Sequence, residues 1–198
     1  MPAETYTARP TIQIDSQQHA LVNELALSFQ MAEQEGGLSS LELRLSNVAS
    51  DVRGSADLAF EDDEILKLGA KIALFAGDES SPTEIFRGTI SALELEIEQD
   101  QPPELVVLAE DLFQQARLER RTQTYTETTV ADLASNFASQ LGLTPVITAF
   151  QESVGVQVQL NESDLAFMRR VLARYDGDMQ IVGDELHISP RSEVQRGA

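Results

Sequence analysis

The chain has 198 residues, 42% apolar and 24% charged, enough to bury the core of one large domain or two small ones and too apolar for a disordered chain. Its 33 acidic and 14 basic residues leave a net charge of -19, which sets most of the surface against a phosphate backbone and argues against nucleic-acid binding. Without cysteine there can be no disulfide, thiolate nucleophile or cysteine metal site, and no apolar run approaches the roughly 20 residues that span a bilayer.

Met1 to Pro10 is polar, lacks the basic-then-apolar pattern of a secretory signal, and predicts cytoplasmic synthesis with a flexible start. Thr11 to Ile14 reads as a first strand, followed by a turn at Asp15, Ser16 and Gln17. Leu21 to Met31 is ambiguous; the alternation of Leu25, Leu27 and Phe29 favours a strand, although Ala26 and Gln30 tolerate a helix. Gly36 and Gly37 break the chain before Leu41, Leu43 and Leu45, which alternate with polar residues as a half-buried strand does. Asp51 to Asp63 turns polar, as a surface loop would. Lys71 to Phe75 predicts a strand ending at Gly77 and Asp78, with a loop from Glu79 to Pro82.

Ile85 to Ile97 is the longest extended signal, with a change of phase near Ser91 and Ala92 that predicts a bulge. Pro102 and Pro103 end it, and Leu105 to Ala109 suits a strand buried on both faces. The first 121 residues therefore predict a small antiparallel barrel or sandwich. Arg117, Arg120 and Arg121 form a concentrated basic patch where composition shifts to the threonine-rich Thr122 to Thr129, and the domain boundary is placed there, giving 1–121 and 122–198.

In the second domain Thr129 and Asp132 suggest a capping box opening a helix over 129–141, whose apolar stripe stops at Gly142. Residues 154–189 then read as a β-α-β-β unit. Val154, Val156, Val158 and Leu160 alternate with Gly155, Gln157 and Gln159 as the buried face of a strand. Asn161 is the expected helix cap and Asp164 the acid of the first turn; Leu165, Met168, Val171, Leu172 and Tyr175 face one side, with Arg169, Arg170 and Arg174 largely opposite. Gly177 is the expected left-handed stop. Gly183 and Asp184 suit a hairpin turn between Met179–Ile181 and Leu186–Ile188. The fold class is thus α+β, a β-rich domain followed by a smaller α+β domain.

The run Gln159, Asn161, Glu162, Ser163, Asp164, Leu165, Phe167, Arg169 and Arg170, with the hairpin Gly183, Asp184, Leu186 and His187, resembles the hub proteins of contractile injection machines: phage late control D proteins and VgrG-like spike proteins. Ile85 to Ile90, the paired prolines, Leu105 to Leu112, and Thr129, Val130, Asp132, Gly142 and Leu143 are similar to the same family. The resemblance implies a tube-like β-barrel over the first domain and a structural baseplate role connecting the central spike to the inner tube. It also implies a homotrimer of hub subunits with tube and spike proteins as partners, no cofactor, no membrane, and a place in a phage tail or injection particle. The acidic excess reads first as a solubility feature, and the resemblance would put part of it along a channel. Hub proteins usually continue past the point equivalent to Ser189, so this chain is expected to be an amino-terminal half or a shortened member.

Other chemistry is thinly supported. Glu61, Asp62, Asp63 and Glu64 lack the glycine and alternating spacing of a calcium loop and read as a solvated loop. His19 and His187 lie far apart in sequence, and His187 is expected on the exposed face of its hairpin. No phosphate loop, nucleophile elbow or His-Glu-x-x-His is present, and Asn161-Glu162-Ser163 reads as a helix cap before a glycosylation acceptor. Arg117, Arg120 and Arg121 have three readings: first a solvated face, then an ion-pairing surface for an acidic neighbouring subunit, and last a nucleic-acid contact. No catalytic, cofactor or metal residue is assigned. The alternatives are a free-standing adaptor module for particle assembly and a glycan-cleaving enzyme using paired carboxylates.

Overall fold

The computed structural model describes residues 10–33, 38–50, 56–62, 64–78 and 81–193, so the expectations for Met1 to Arg9, for Gly36 and Gly37, and for part of the polar loop after Ser50 lie outside them. The chain forms two compact units, Met1–Ala32 with Ser39–Asp111, and Glu33–Leu38 with Leu112–Ala198.

The first unit runs β1 (Thr11–Ile14), β2 (Gln17–Gln18), α1 (Ala20–Leu25), β3 (Ala26–Ala32), β4 (Ser40–Ser46), β5 (Ala49–Ser50), β6 (Ala56–Asp57), β7 (Lys71–Asp78), β8 (Ser81–Glu96) and β9 (Glu104–Glu110). Seven of these strands make one antiparallel sheet in the order β2-β1-β7-β8-β9-β4-β3, and β5 pairs separately with β6. The turn from β1 to β2 places Asp15 and Ser16 at positive φ, as a tight two-residue hairpin requires. The long strand β8 serves both halves: its first part pairs with β7 and its second with β9, and the ladder slips between Ile90 and Ala92, where the change of phase predicts a bulge.

Ile12, Ile72 and Leu74 from one half and Leu41, Leu43, Leu105 and Val107 from the other fill a single core. A flat sheet would need a covering layer, and among the described residues outside the strands only Val22 of the helix and Leu66 and Ala70 of the loop before β7 join the buried set, too few to cover seven strands. The sheet therefore rolls around its own interior. Among the described residues no pairing joins β2 to β3, so the closed barrel of the sequence expectation is corrected to a rolled sheet with two edges.

Leu21 to Met31 also differs from the expected strand: it is helical to Leu25 and extended from Ala26. The reason is local pairing. Asn23 on α1 accepts from the Ile12 amide at 2.7 Å and donates to the Ile12 carbonyl at 3.1 Å, replacing a strand partner for β1. On the outer face, Val106 lies across from Arg44 and Glu94 and is nonetheless buried. Arg44 reaches Glu42 at 3.0 Å, Glu96 at 2.8 Å and Glu104 at 3.3 Å, so its stem and this carboxylate ring form the cover. The pairing with Arg44 holds the Glu96 carboxyl below its usual range.

The second unit begins at Leu112, ahead of the compositional shift at residue 121, because Phe113 and Ala116 pack into its core. A 3-10 turn (Leu112–Gln114) leads into α2 (Gln115–Leu118), β10 (Arg120–Tyr125), α3 (Val130–Gln140), β11 (Thr144–Ile147), β12 (Gln157–Ser163), α4 (Asp164–Arg174), β13 (Gly177–Val182) and β14 (Glu185–Pro190), with a last 3-10 turn at Arg191–Glu193. Strand β11 runs parallel to β14, which pairs with β13 across the Gly183–Asp184 turn. Helices α3 and α4 supply Leu133, Phe137, Leu165, Met168 and Leu172 to a core that also holds Met179, Leu186 and Ile188.

The β-α-β-β order stands, but β12 leaves the β13–β14 sheet and pairs with β10 instead. Two further expectations change here. Ser163, not Asn161, caps α4, accepting from the Ala166 amide at 3.2 Å, while Asn161 occupies a bulge of β12 at φ 48. Asp176, not Gly177, takes the left-handed position after α4. Gly177 matters for space: a Cβ there would lie 2.8 Å from Leu172 Cδ2 and 3.0 Å from Phe150 Cζ.

Candidate assembly surface

The residues of the Gln-x-Asn-Glu-Ser-Asp run meet where the β10–β12 ribbon turns into α4. Strand β12 is inverted relative to its pattern. Gln157 and Gln159 are 5% and 0% exposed, while Val156, Val158 and Leu160 are 62%, 44% and 69% exposed. The inversion follows from what lies inside. The inner face of the ribbon meets the start of α4, where the Glu162 carbonyl, the acidic first residue Asp164 and the Tyr125 hydroxyl need polar partners.

Gln159 provides them. Its amide nitrogen donates to the Glu162 carbonyl at 3.0 Å and to Asp164 Oδ1 at 2.8 Å, and its Oε1 accepts from the Tyr125 hydroxyl at 3.2 Å. A valine on that face would leave these groups unpaired at about 1–3 kcal/mol each. The Tyr125 ring stacks on Phe167 with centroids 5.3 Å apart. Burial raises the Tyr125 pKa, the Asp164 charge adds to it, and Arg121 opposes it.

The three arginines of the sequence reading do not converge. Arg121 turns inward to Asp164 at 2.7 Å, Arg120 is exposed at the start of β10, and Arg117 is exposed on the last turn of α2. A fourth arginine, Arg170, closes the ribbon's side. It binds both Glu162 oxygens at 2.9 and 2.8 Å, donates to the Val158 carbonyl at 2.7 Å, and lies 5.3 Å over the Phe167 ring. This guanidinium holds the Glu162 carboxyl below its usual range and is itself raised by that carboxylate. Strand edges invite unwanted pairing, and Arg170 occupies one acceptor of the β12 backbone.

The outward face is what sequence reasoning missed. Thr124 sits across from Val158, and the Thr122 hydroxyl accepts from the Asn161 amide at 3.1 Å, so the face reads threonine on β10 against Val158 and Leu160 on β12, with Val156 just ahead of the strand. A period of two reveals that a strand has two unlike faces and leaves open which one is buried. The usable signal was the pair Gln157 and Gln159 followed by Asp164.

Charge is divided unevenly as well. Residues 1–111 carry 22 acidic and 6 basic side chains, a balance of -16, against 11 and 8, or -3, over 112–198. His187, in the second unit, is bound by Glu185 at 2.8 Å, and His19 belongs to the first unit. Among the described residues no three His, Cys, Asp or Glu side chains are grouped to hold a metal ion, and no helix is long and apolar enough to cross a membrane.

The fold has solved counterparts. The 43 kDa tail protein of prophage MuSo2 from Shewanella oneidensis superposes with a TM-score of 0.66 at 11% identity, over 92% of this chain and 53% of that one. An E. coli component of the type VI secretion system, described as structurally similar to the T4 bacteriophage tail proteins gp27 and gp5, gives 0.66 at 14% identity over 93% and 50%. A Francisella PdpA-VgrG complex gives 0.56 at 8% identity over 92% and 31%. The chain thus spans about half the length of the first two structures, and at these identities the likeness is one of fold. No curated protein matches the chain in sequence. The family model described as the Alg8 N-terminal domain matches residues 44–194, which begin within β4, and the chain belongs to that family.

Proposed function

We propose that the chain is a structural component of a contractile tail or injection particle, a hub subunit that connects the central spike to the inner tube. The observation that carries this reading is the superposition of more than nine-tenths of the chain, both units included, on a phage tail protein and a type VI secretion component. The node of Gln159, Glu162, Ser163, Asp164, Phe167 and Arg170 supports it, since the same residues carry the resemblance to hub proteins and are tied into one hydrogen-bonded corner. In this reading three copies surround an axis, the edges β2 and β3 of the rolled sheet are paired by neighbouring chain to complete a tube, and tube and spike proteins cap the two ends. The chain contributes geometry, and any chemistry belongs to its partners.

Electron microscopy of the native particle, with a tag inserted in this chain, tests the reading. Density for both units at the junction of tube and spike is expected. A particle that assembles fully and contains no copy of the chain overturns the proposal.

A further inference from the structure

We propose that the outward face of the β10–β12 ribbon, Val156, Val158 and Leu160 with Arg120 at its rim, is a contact surface for the acidic end of β8 in a second copy of this chain. The inference rests on the assembly reading above and deepens it by naming a surface and its occupant.

Two exposed apolar stripes of opposite electrostatic setting lie on the molecule. On the ribbon, Val156, Val158 and Leu160 stand among threonines and the exposed Arg120. The two segments that build this corner, residues 117–125 and 156–174, hold six basic and three acidic side chains, a local balance of +3 in a chain of -19. At the end of β8, Leu95 and Ile97 are exposed and flanked by the exposed Glu94, Glu98 and Asp100. Leu95 stands across from Leu105, on the core side of the sheet, so this stripe is the uncovered rim of the first core.

Charge selects the pairing. Either stripe set against its own copy would bring like charges together, arginine to arginine or carboxylate to carboxylate, and like-charge juxtaposition costs several kcal/mol (about 2 or more). Ribbon against β8 end brings Arg120 to Glu98 and apolar to apolar. Such a contact is heterologous: each copy offers one surface and receives the other, which generates a closed ring or a filament instead of a two-fold dimer. A two-stranded face is smaller than the roughly 800 Å² per partner of a stable interface, so single contacts are weak and sensitive to salt.

Sedimentation velocity of the full chain over a wide concentration range tests this, at low salt and at about 1 M salt, where the screening length falls to about 3 Å. Reversible association at low salt that weakens at high salt is expected. Leu160→Glu should weaken it about tenfold or more, the effect of placing an unpaired charge in a small apolar contact. Arg120→Glu and Glu98→Arg should each weaken it alone and associate when mixed. A monomer at every concentration, association that strengthens with salt, or Leu160→Glu behaving as the parent overturns the inference. Circular dichroism checks the fold of each variant, and if Leu160→Glu loses it, Thr124→Glu on the same face decides by the same readout. A chain that stays monomeric yet is found at the tube–spike junction sinks this inference alone; one that associates as described and is missing from the particle sinks the assembly reading.

Discussion

Strands β4 and β12 carry the same sequence pattern and face opposite ways. In β4, Leu41, Leu43 and Leu45 point into the first core and Glu42 and Arg44 point out. In β12 the aliphatic residues point out and two glutamines point in. The difference lies in what each strand covers. Strand β4 lies between β3 and β9 over an aliphatic interior, where a buried leucine gains about 2 kcal/mol or more by leaving water. The inner face of β12 meets a helix start, a carboxylate and a tyrosine hydroxyl, where hydrogen-bonding capacity outweighs hydrophobicity. Amphipathic alternation therefore marks a boundary between two environments and does not say which is the interior.

The sharpest test of this contrast pairs Leu43→Ala with Val158→Ala. The first opens a cavity in a close-packed core and is expected to cost about 2–5 kcal/mol, the second to stay within about 0.5 kcal/mol, in urea denaturation. Equal losses would mean that β12 is buried after all. Gln159→Leu comes next, a change towards the pattern of β4. It should destabilise the second unit by about 2 kcal/mol, because Tyr125, Asp164 and the Glu162 carbonyl lose a partner in a buried corner. A stabilised variant would show that the corner prefers an apolar side chain.

Thr129→Ala removes the amino-terminal cap of α3. The Thr129 hydroxyl accepts from the Asp132 amide at 2.9 Å and the Asp132 carboxylate accepts from the Thr129 amide at 2.9 Å, so a loss of about 1 kcal/mol is expected in thermal melts. A smaller loss than that of the cap is expected from Arg170→Ala, a bidentate but half-exposed pair that should cost about 1 kcal/mol or less, with increased pairing or aggregation through the β12 edge seen by light scattering.

Acid should separate these contributions. The hydrogen bonds from Thr129 hold the Asp132 carboxyl below its usual range, and Arg170 does so for Glu162. A depressed folded pKa contributes stability above the unfolded value of about 4 and loses it as pH falls through the folded value. The parent and Thr129→Ala should therefore converge in melting temperature as pH drops from 7 towards about 3. A gap that stays constant would remove the carboxylate from the account of the cap.

Much of the architecture was legible because it is written in local chemistry. The Thr129–Asp132 capping box, the helix stop at Gly142, the Gly183–Asp184 hairpin and the bulge near Ser91 all depend on backbone conformation within a few residues. What escaped depends on partners distant in sequence. Strand β10 falls across the boundary placed at residue 121, since its threonines gain a strand partner only when β12 arrives. Leu21 to Leu25 became helical because Asn23 reaches Ile12. Of the candidate site, the identity of the hub-like run was visible, whereas the inward turn of Arg121 and the exposure of Val158 and Leu160 were not.

The sequence by itself determined an α+β chain with a β-rich front, a capped helix after each of two turns in the back half, and a strongly acidic surface. Only the tertiary structure decided that the front rolls into an open-edged sheet, that the division falls at Leu112, and that β12 shows its aliphatic face to solvent. The reason is range. Caps, turns and bulges are fixed by groups within a few bonds of one another, while pairing partners and buried faces are set by whichever distant segment satisfies the most backbone and polar groups at once.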